Sequence, residues 1–309
     1  MPADGVAPAT PAAPAPAKPA EVEQVSTFGM TKVGARPPMH RYIAQLWERR
    51  HFIWFDSRMR AFGSIKDTVL GKIWLVLQPF LDAGIYFLIF GFLLGTSRGI
   101  ESFLGYLVIG VTMFSLSTKA MNSGATIIPM GKNLMSAFSF PRASLVFSFG
   151  IRNLIDAIPT LLTTLVFILV MPTAGGHLTL LWLLFPLVIL LQFVFNLGLA
   201  FVTAAVTSLL PDFKFIWPLI SRFWFYASGV FFSLDRFAGK EIAGIDIEAV
   251  MRLNPGWGFL DVSRDILLYN TVPDMGTVLY LVAVSFILVL FGFWFFWIFE
   301  ERYGQKNER

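Results

Sequence analysis

Cysteine is absent from this chain, so no disulfide, thiolate metal site or cysteine nucleophile can form. Histidine is scarce. His40, His51 and His177 lie far apart and no HExxH pair occurs, which removes the helix-borne zinc site of metalloproteases. No GxxxxGK[ST] is present either. Gly71-Lys72, Gly131-Lys132 and Gly239-Lys240 all lack the upstream Gly and the following Ser or Thr, so nothing here cradles nucleotide phosphates. Charge is thin, at 14% of residues. The nearest approach to an acidic catalytic motif, Asp246-Ile247-Glu248, sits in a loop that the topology below places outside. No proton-relay or sodium-site pattern stands out. These absences point to a chain that moves or holds something and draws any energy from another subunit.

What the sequence has in abundance is apolar length. Six stretches, 73–94, 103–122, 143–171, 178–210, 215–234 and 278–299, each approach or exceed the roughly 20 apolar residues that cross a bilayer as a helix. The 56% hydrophobic content, the 33 Phe and the 9 Trp suit a chain solvated by lipid. The expected fold is an all-α integral membrane protein with six transmembrane helices. Nine of the 24 basic residues fall between Lys32 and Lys72, which places the N-terminus in the cytoplasm by the positive-inside rule. Six crossings return the C-terminus to the same side, in keeping with Arg302, Lys306 and Arg309. Arg236, Lys240, Arg252 and Arg264 fall in a loop that this topology puts outside, but long loops obey the rule weakly. The net charge of +4 is thereby a membrane-topology signal, and no nucleic-acid partner is expected.

Residues 1–36 read as a disordered cytoplasmic tail, with six Pro and eight Ala in the first twenty positions and no signal-peptide pattern. A Pro-rich ligand for another protein is the other reading of that tail. Residues 37–66 read as an amphipathic helix carrying Arg41, Arg49, Arg50, Arg58 and Arg60 beside Ile43, Trp47 and Trp54. Such a helix suits the cytoplasmic membrane surface. Packing on a partner protein stays open. Residues 67–302 form the six-helix domain, and 303–309 a cytoplasmic tail.

Inside that domain several polar residues are conspicuous. Gln78 and Asp82 are four apart, hence on one helical face of the first span, either in a helix–helix hydrogen bond or lining a pathway. Arg152 and Asp156 are also four apart and predict an ion pair near the inner membrane face, with a possible kink at Pro159 just beyond. Span four is too long for a straight crossing. Tilt, a kink at Pro186 or a helical extension would absorb the excess. Gln192 and Asn196 share a face and suit helix-to-helix glue. Arg222 lies among Trp217, Phe223, Trp224, Phe225 and Tyr226, where a buried cation needs a partner or an aqueous cavity. Between spans two and three, residues 123–142 form a charged loop whose LMSAF centre can make one or two helical turns. Between spans five and six, residues 247–253 and 258–269 read as a short re-entrant helical hairpin turning at Asn254-Pro255, with a small external cap as the alternative.

The order of three motifs resembles the membrane subunit of ABC-2-type exporters, specifically the polysaccharide branch that exports O-antigen, capsule and teichoic acid. Leu70-Gly71-Lys72-Ile73-Trp74 through Pro79 is similar to that family's LGxxWxxxxP stretch. Phe140-Pro141-Arg142 is similar to the PR that follows its coupling loop, and Leu253-Asn254-Pro255 with Arg264 is similar to LNP and a downstream Arg. Gln78 stands where the family pattern has Asn. The Ala/Pro-rich tail and the Arg49-Arg50-His51-Phe52 stretch look actinobacterial, which implies a cell-wall galactan or related glycan.

The resemblance implies a multi-pass permease of the bacterial plasma (inner) membrane. It would be a homodimer joined to two copies of an ABC ATPase, with ATP and Mg on that partner and no cofactor in this chain. It would be a transport subunit, not an enzyme, and would move a polyprenyl-linked glycan. Lys132, Asn133, Leu134 and Arg142 in the coupling loop 123–142 would touch the ATPase. Gln78, Asp82, Tyr86, Trp217, Arg222 and Tyr226 would line the channel. Asn254, Pro255 and Arg264 in the hairpin 240–272 would gate the outer exit, and Arg49, Arg50 and Trp54 would hold the interface helix on the bilayer. Two competing functions are an ABC-2 exporter of small hydrophobic compounds or lipids, and a membrane assembly factor or enzyme for wall glycan.

Overall fold

The structure is a computed structural model that describes residues 37–63, 73–93, 95, 100, 102–137, 140–170, 178–237, 239–242 and 244–305. The predicted tail 1–36, the Leu70-Gly71-Lys72 portion of the first motif and residues 306–309 lie outside that set.

The expected single helix over 37–66 is two helices, α1 (Met39–Glu48) and α2 (Arg50–Gly63), broken at Arg49. Their buried residues fall at fourfold spacing: Tyr42 and Leu46, then Ile53, Ser57 and Ala61. That face packs on α7 (Ala143–Val170), with Ser148 Oγ donating to the Ile53 carbonyl at 3.2 Å. The opposite face leaves Ile43, Trp47, Trp54, Phe55 and Met59 exposed. The apolar stripe legible in the sequence therefore divides in two. Leu46 and Ile53 go inward, while Ile43, Trp47 and Trp54 face out, as a membrane-surface helix requires.

Among the described residues four helices are long and apolar enough to cross a bilayer: α4 (Phe103–Gly124), α7 (Ala143–Val170), α8 (Phe185–Leu209, led in by a 3-10 turn from Leu180) and α12 (Met275–Ile298). The first predicted span is α3 (Ile73–Tyr86) followed by π-helical turns over Phe87–Leu93. The fifth is shorter than expected. Helix α9 covers only Phe213–Tyr226, and 14 residues rise about 21 Å against a hydrocarbon core of about 30 Å. The chain then turns through Ala227-Ser228-Gly229, where Gly229 takes a φ of +68° that side chains resist. Pro186 does not kink a helix. It sits in the first turn of α8, where its missing N–H costs nothing, and the 3-10 lead-in takes up the extra length. Pro159 lies within an unbroken α7.

Helix α4 is the most buried of the long helices and sits at the centre of the larger core. Helices α8 and α12 pack along each other with backbones in close approach, because Gly198 and Gly292 meet there. A Cβ on Gly292 would stand 2.7 Å from the Gly198 carbonyl. A second core gathers Tyr42, the start of α7, the end of α8 and the end of α12 at the other end of the molecule.

Two short segments carry the features between helices. After α4 come α5 (Ile127–Met130) and α6 (Lys132–Ala137), so Leu134–Ala137 of the LMSAF centre are helical, and Phe138 lies outside the described residues. After α9 comes a two-residue antiparallel ladder, β1 (Glu241–Ile242) with β2 (Ile245–Asp246), the only strands among the described residues. It leads into α10 (Ile247–Arg252) and α11 (Pro255–Arg264), which continues as π-helical turns over Asp265–Tyr269. A final turn, α13 (Arg302–Gln305), follows α12.

Candidate functional site

Helices α3 and α9 present the first candidate site. Asp82 and Tyr86 are one turn apart on α3, and Arg222 and Tyr226 are one turn apart on α9. Tyr86 lies within electrostatic reach of the other three. Tyr86 packs edge-on to Phe231 at 4.8 Å, and Tyr226 stacks on the same ring at 5.6 Å, so one aromatic block holds both helices. Arg222 and Tyr226 are exposed, as are Leu219, Ile220 and Phe223 on the same helix. Gln78, one turn before Asp82, is exposed as well. Trp217 is placed differently. Its indole N–H donates to Thr207 Oγ1 at 2.9 Å and closes the turn between α8 and α9. The structure thus brings Asp82, Tyr86, Arg222 and Tyr226 together, and sets Trp217 apart from them.

The second candidate is the segment between α4 and α7. Lys132 and Asn133 are exposed at the start of α6, and Met130 is 78% exposed. Leu134 and Met135 turn inward onto the lower core and fix the segment's orientation. Gly131 allows the close seat, since a Cβ there would come 2.5 Å from Leu145 Cδ1. Arg142 points away from Lys132 and Asn133. Its backbone N–H donates to Glu300 Oε1 at 2.9 Å and its guanidinium donates to the Glu300 carbonyl. Tyr42 joins the same carboxylate. It accepts from the Ala143 N–H at 3.0 Å, and its hydroxyl hydrogen-bonds Glu300. Burial, with the Glu300 charge beside it, pushes the Tyr42 phenol up and keeps it a proton donor. One buried acid therefore ties α1, the start of α7 and the end of α12. The sequence reading passed over Glu300, because Glu300-Glu301-Arg302 looks like an ordinary charged helix end.

The third candidate is the hairpin. Asn254 caps α11 through Gly256 N–H at 2.9 Å, and Pro255 fills the first helical position. The same side chain accepts from Trp224 Nε1 at 2.8 Å and donates to the Ala227 carbonyl at 3.1 Å, binding the hairpin to the end of α9. Arg264 is 2% exposed. Its guanidinium reaches the carbonyls of Gly229 at 3.1 Å, and of Tyr106 and Val230 at 3.4 Å, while lying 3.3 Å over the Tyr106 ring. Asp265 follows it. Burial first, and Asp261 beside it second, push its carboxyl up to about 6. Asn270, at a φ of 54°, ends the hairpin and accepts from Thr179 Oγ1 at 2.9 Å and Trp182 Nε1 at 3.3 Å.

On the expected interface helix, Arg49 and Arg50 are exposed, and Arg50 lies 5.3 Å over the Trp47 ring. Trp54 is 55% exposed on the outward face of α2. Among the described residues no group of His, Asp and Glu is placed to hold a metal ion.

Residues 60–244, from the end of α2 through α9 to the short strand ladder, match the model of the ABC-2 type transporter family. The O-antigen export system permease protein RfbA of Myxococcus xanthus is 24% identical over 256 residues, which cover 81% of this chain and 93% of that protein. The matched region contains three of the four long apolar helices and the segment between α4 and α7. The chain is an integral membrane protein and belongs to the ABC-2 type transporter family.

Proposed function

We propose that this chain is the channel-forming permease subunit of an ATP-driven exporter that moves a lipid-linked polysaccharide across the bacterial plasma membrane for envelope assembly. Two copies would pair, and each would engage an ABC ATPase that binds ATP and Mg. Both termini would lie in the cytoplasm, with α3 and α9 completing six crossings and the α10–α11 hairpin dipping into the outer face. The observation that carries this reading is the surface shared by α3 and α9, where half-buried Tyr86 lies within reach of half-buried Asp82 and of exposed Arg222 and Tyr226. Intramembrane charge faces protein or water rather than lipid. A channel between two such faces would offer aromatic rings for the apolar faces of sugars and charged groups for their hydroxyls. Likeness over most of its length to a protein named as an O-antigen export permease supports a polymer as cargo. In this arrangement Lys132 and Asn133 would contact the ATPase, and Arg142 would relay its movement through Glu300. The hairpin residues Asn254, Pro255 and Arg264 would hold the outer exit.

Depleting the protein in its host and analysing membrane-extracted, lipid-linked glycans tests this. Accumulation of a long polyprenyl-linked polymer on the cytoplasmic leaflet is the expected result. An unchanged lipid-linked pool with a normal envelope would overturn it and favour a small-hydrophobe or lipid exporter.

A further inference from the structure

The four long helices contain only three Asp, Glu, Lys or Arg residues, and all three meet at one place. They are Lys119 on α4 and Arg152 and Asp156 on α7. Lys119 Nζ lies 3.6 Å and Arg152 Nε 3.5 Å from the same Asp156 oxygen. The carboxylate side chain is 8% exposed, whereas the Lys and Arg side chains are 42% and 27% exposed. Two cations on one anion leave one positive charge in excess. The pairing is loose, beyond ordinary charge-assisted hydrogen-bond distance, so both donors keep capacity for another acceptor. Arg152 Nε is buried with no hydrogen-bond partner among the described residues.

The depth of this cluster follows from the helices. Lys119 is about 8 Å of helix rise from the Gly124 end of α4, and Arg152 about 14 Å from the Ala143 end of α7. Ser148 near the start of α7 meets Ile53 of α2, and Arg152 stands one helical turn beyond Ser148. With the cytoplasmic ends assigned as proposed above, the cluster lies on the inner-leaflet side of the helices. Lys119 also lines a small cleft of about 40 Å³ together with Asn153, Asn196, Ile189 and Phe193, and Arg152 and Asp156 lie outside that lining. The Oδ1 atoms of both Asn are buried without a partner, so they would accept from hydroxyl groups.

We infer that Lys119, Arg152, Asn153 and Asn196 form a binding site for a membrane lipid whose head carries a phosphate ester and hydroxyl groups. The excess charge of one matches a phosphodiester. The phosphate oxygens satisfy Lys119 and Arg152, and head-group hydroxyls satisfy the two Asn carbonyls. A basic pocket between helices at the cytoplasmic leaflet binds anionic head groups for these same reasons. The lipid is either a bulk anionic phospholipid or the glycan-bearing polyprenyl carrier, whose phosphate ester and sugar hydroxyls share this chemistry; undecaprenyl phosphate carries the phosphate part of it.

The test uses the full-length chain in detergent, titrated with phosphatidylglycerol, phosphatidylcholine and undecaprenyl phosphate and read by native mass spectrometry. Phosphatidylglycerol should bind in preference to phosphatidylcholine and weaken with added salt. The K119Q/R152Q variant should lose about tenfold in that affinity, and K119R/R152K should regain it. Asp156→Asn raises the local charge and should tighten binding, which a merely structural role for the triad does not predict. Competition by undecaprenyl phosphate would assign the site to the carrier lipid, and absence of competition to bulk phospholipid. Equal affinity for phosphatidylcholine, or unchanged phosphatidylglycerol binding in K119Q/R152Q, would overturn the site. Should K119Q/R152Q fail to fold, salt-insensitive binding by the native chain would overturn it equally. No ATPase or export assay enters, so failure here leaves the glycan-accumulation test standing.

Discussion

At the scale of single residues, Arg264 carries the most concentrated argument. A fully buried cation is expensive unless its donors are met. Here Nη1 and Nη2 are met by three carbonyls from two other segments and the cation by the face of Tyr106, while Nε has no hydrogen-bond partner among the described residues. A planar fork can serve several carbonyls at once, which a Lys ammonium does far less well. Replacing Arg264 with Met should remove the tie and leave the Gly229, Tyr106 and Val230 carbonyls short of donors, at a cost of about 2–3 kcal/mol. Hydrogen exchange should then quicken across Pro255–Tyr269, and native exchange rates in that variant would show that the guanidinium contributes little. Arg264 was legible in the sequence as a marked residue, but not its partner, because Tyr106 lies 158 positions away within an apolar run. Lys119 was passed over for a related reason. It sits in SLSTKAMNS, where a lone Lys near the end of an apolar stretch reads as the return to water. Its meaning appears only when the packing of α4 on α7 brings it to Asp156.

At the scale of elements, apolar length located the helices well, and local breaks decided where they end. The reading of 215–234 as one span followed its unbroken aromatic content. The chain in fact stops at Tyr226, because Ala-Ser-Gly follows and Gly229 takes a positive φ. The 178–210 stretch looked too long for one crossing, and it is resolved by a change of helix type at Phe185. Hydropathy is blind to such changes, since both forms bury the same side chains. It is equally blind to helix pairing, which depends on where small residues fall. Gly198 lets α8 lie against α12 so closely that a Cβ there would stand 2.7 Å from the backbone of Leu288 and Val289. Gly198→Val should therefore force the helices apart and cost about 1–3 kcal/mol. Thermal melting of the purified chain reads this directly. Gly84→Ala, where an added Cβ meets nothing within 4 Å, is the matched control and should melt like the native protein.

At the scale of the whole molecule, the question is how a push at one end reaches the membrane-spanning body. The α5–α6 segment is anchored from inside by Leu134 and Met135 and seated tightly at Gly131. It is therefore unlike a loose loop that could move without consequence. On the proposed function, a displacement of α6 would be transmitted to the start of α7, where Arg142 and Ala143 are bound to Glu300 and Tyr42. Those two residues belong to the end of α12 and to α1, so a local movement engages three elements together. Such a device needs its contact surface exposed and its anchors buried, and Lys132 and Asn133 are the exposed side chains at the start of α6. Reversing their character with K132E/N133D changes the surface while leaving Leu134, Met135 and Arg142 in place. The permease should then fold and melt normally but stimulate its ATPase roughly fivefold less, with the loss dependent on salt, as rim charges at an interface behave. ATPase stimulation equal to that of the native chain would remove Lys132 and Asn133 from the contact and shift attention to Met130, another exposed side chain of the segment. A variant that lost both folding and stimulation would instead place these residues with the anchors, against the exposure that the structure gives them.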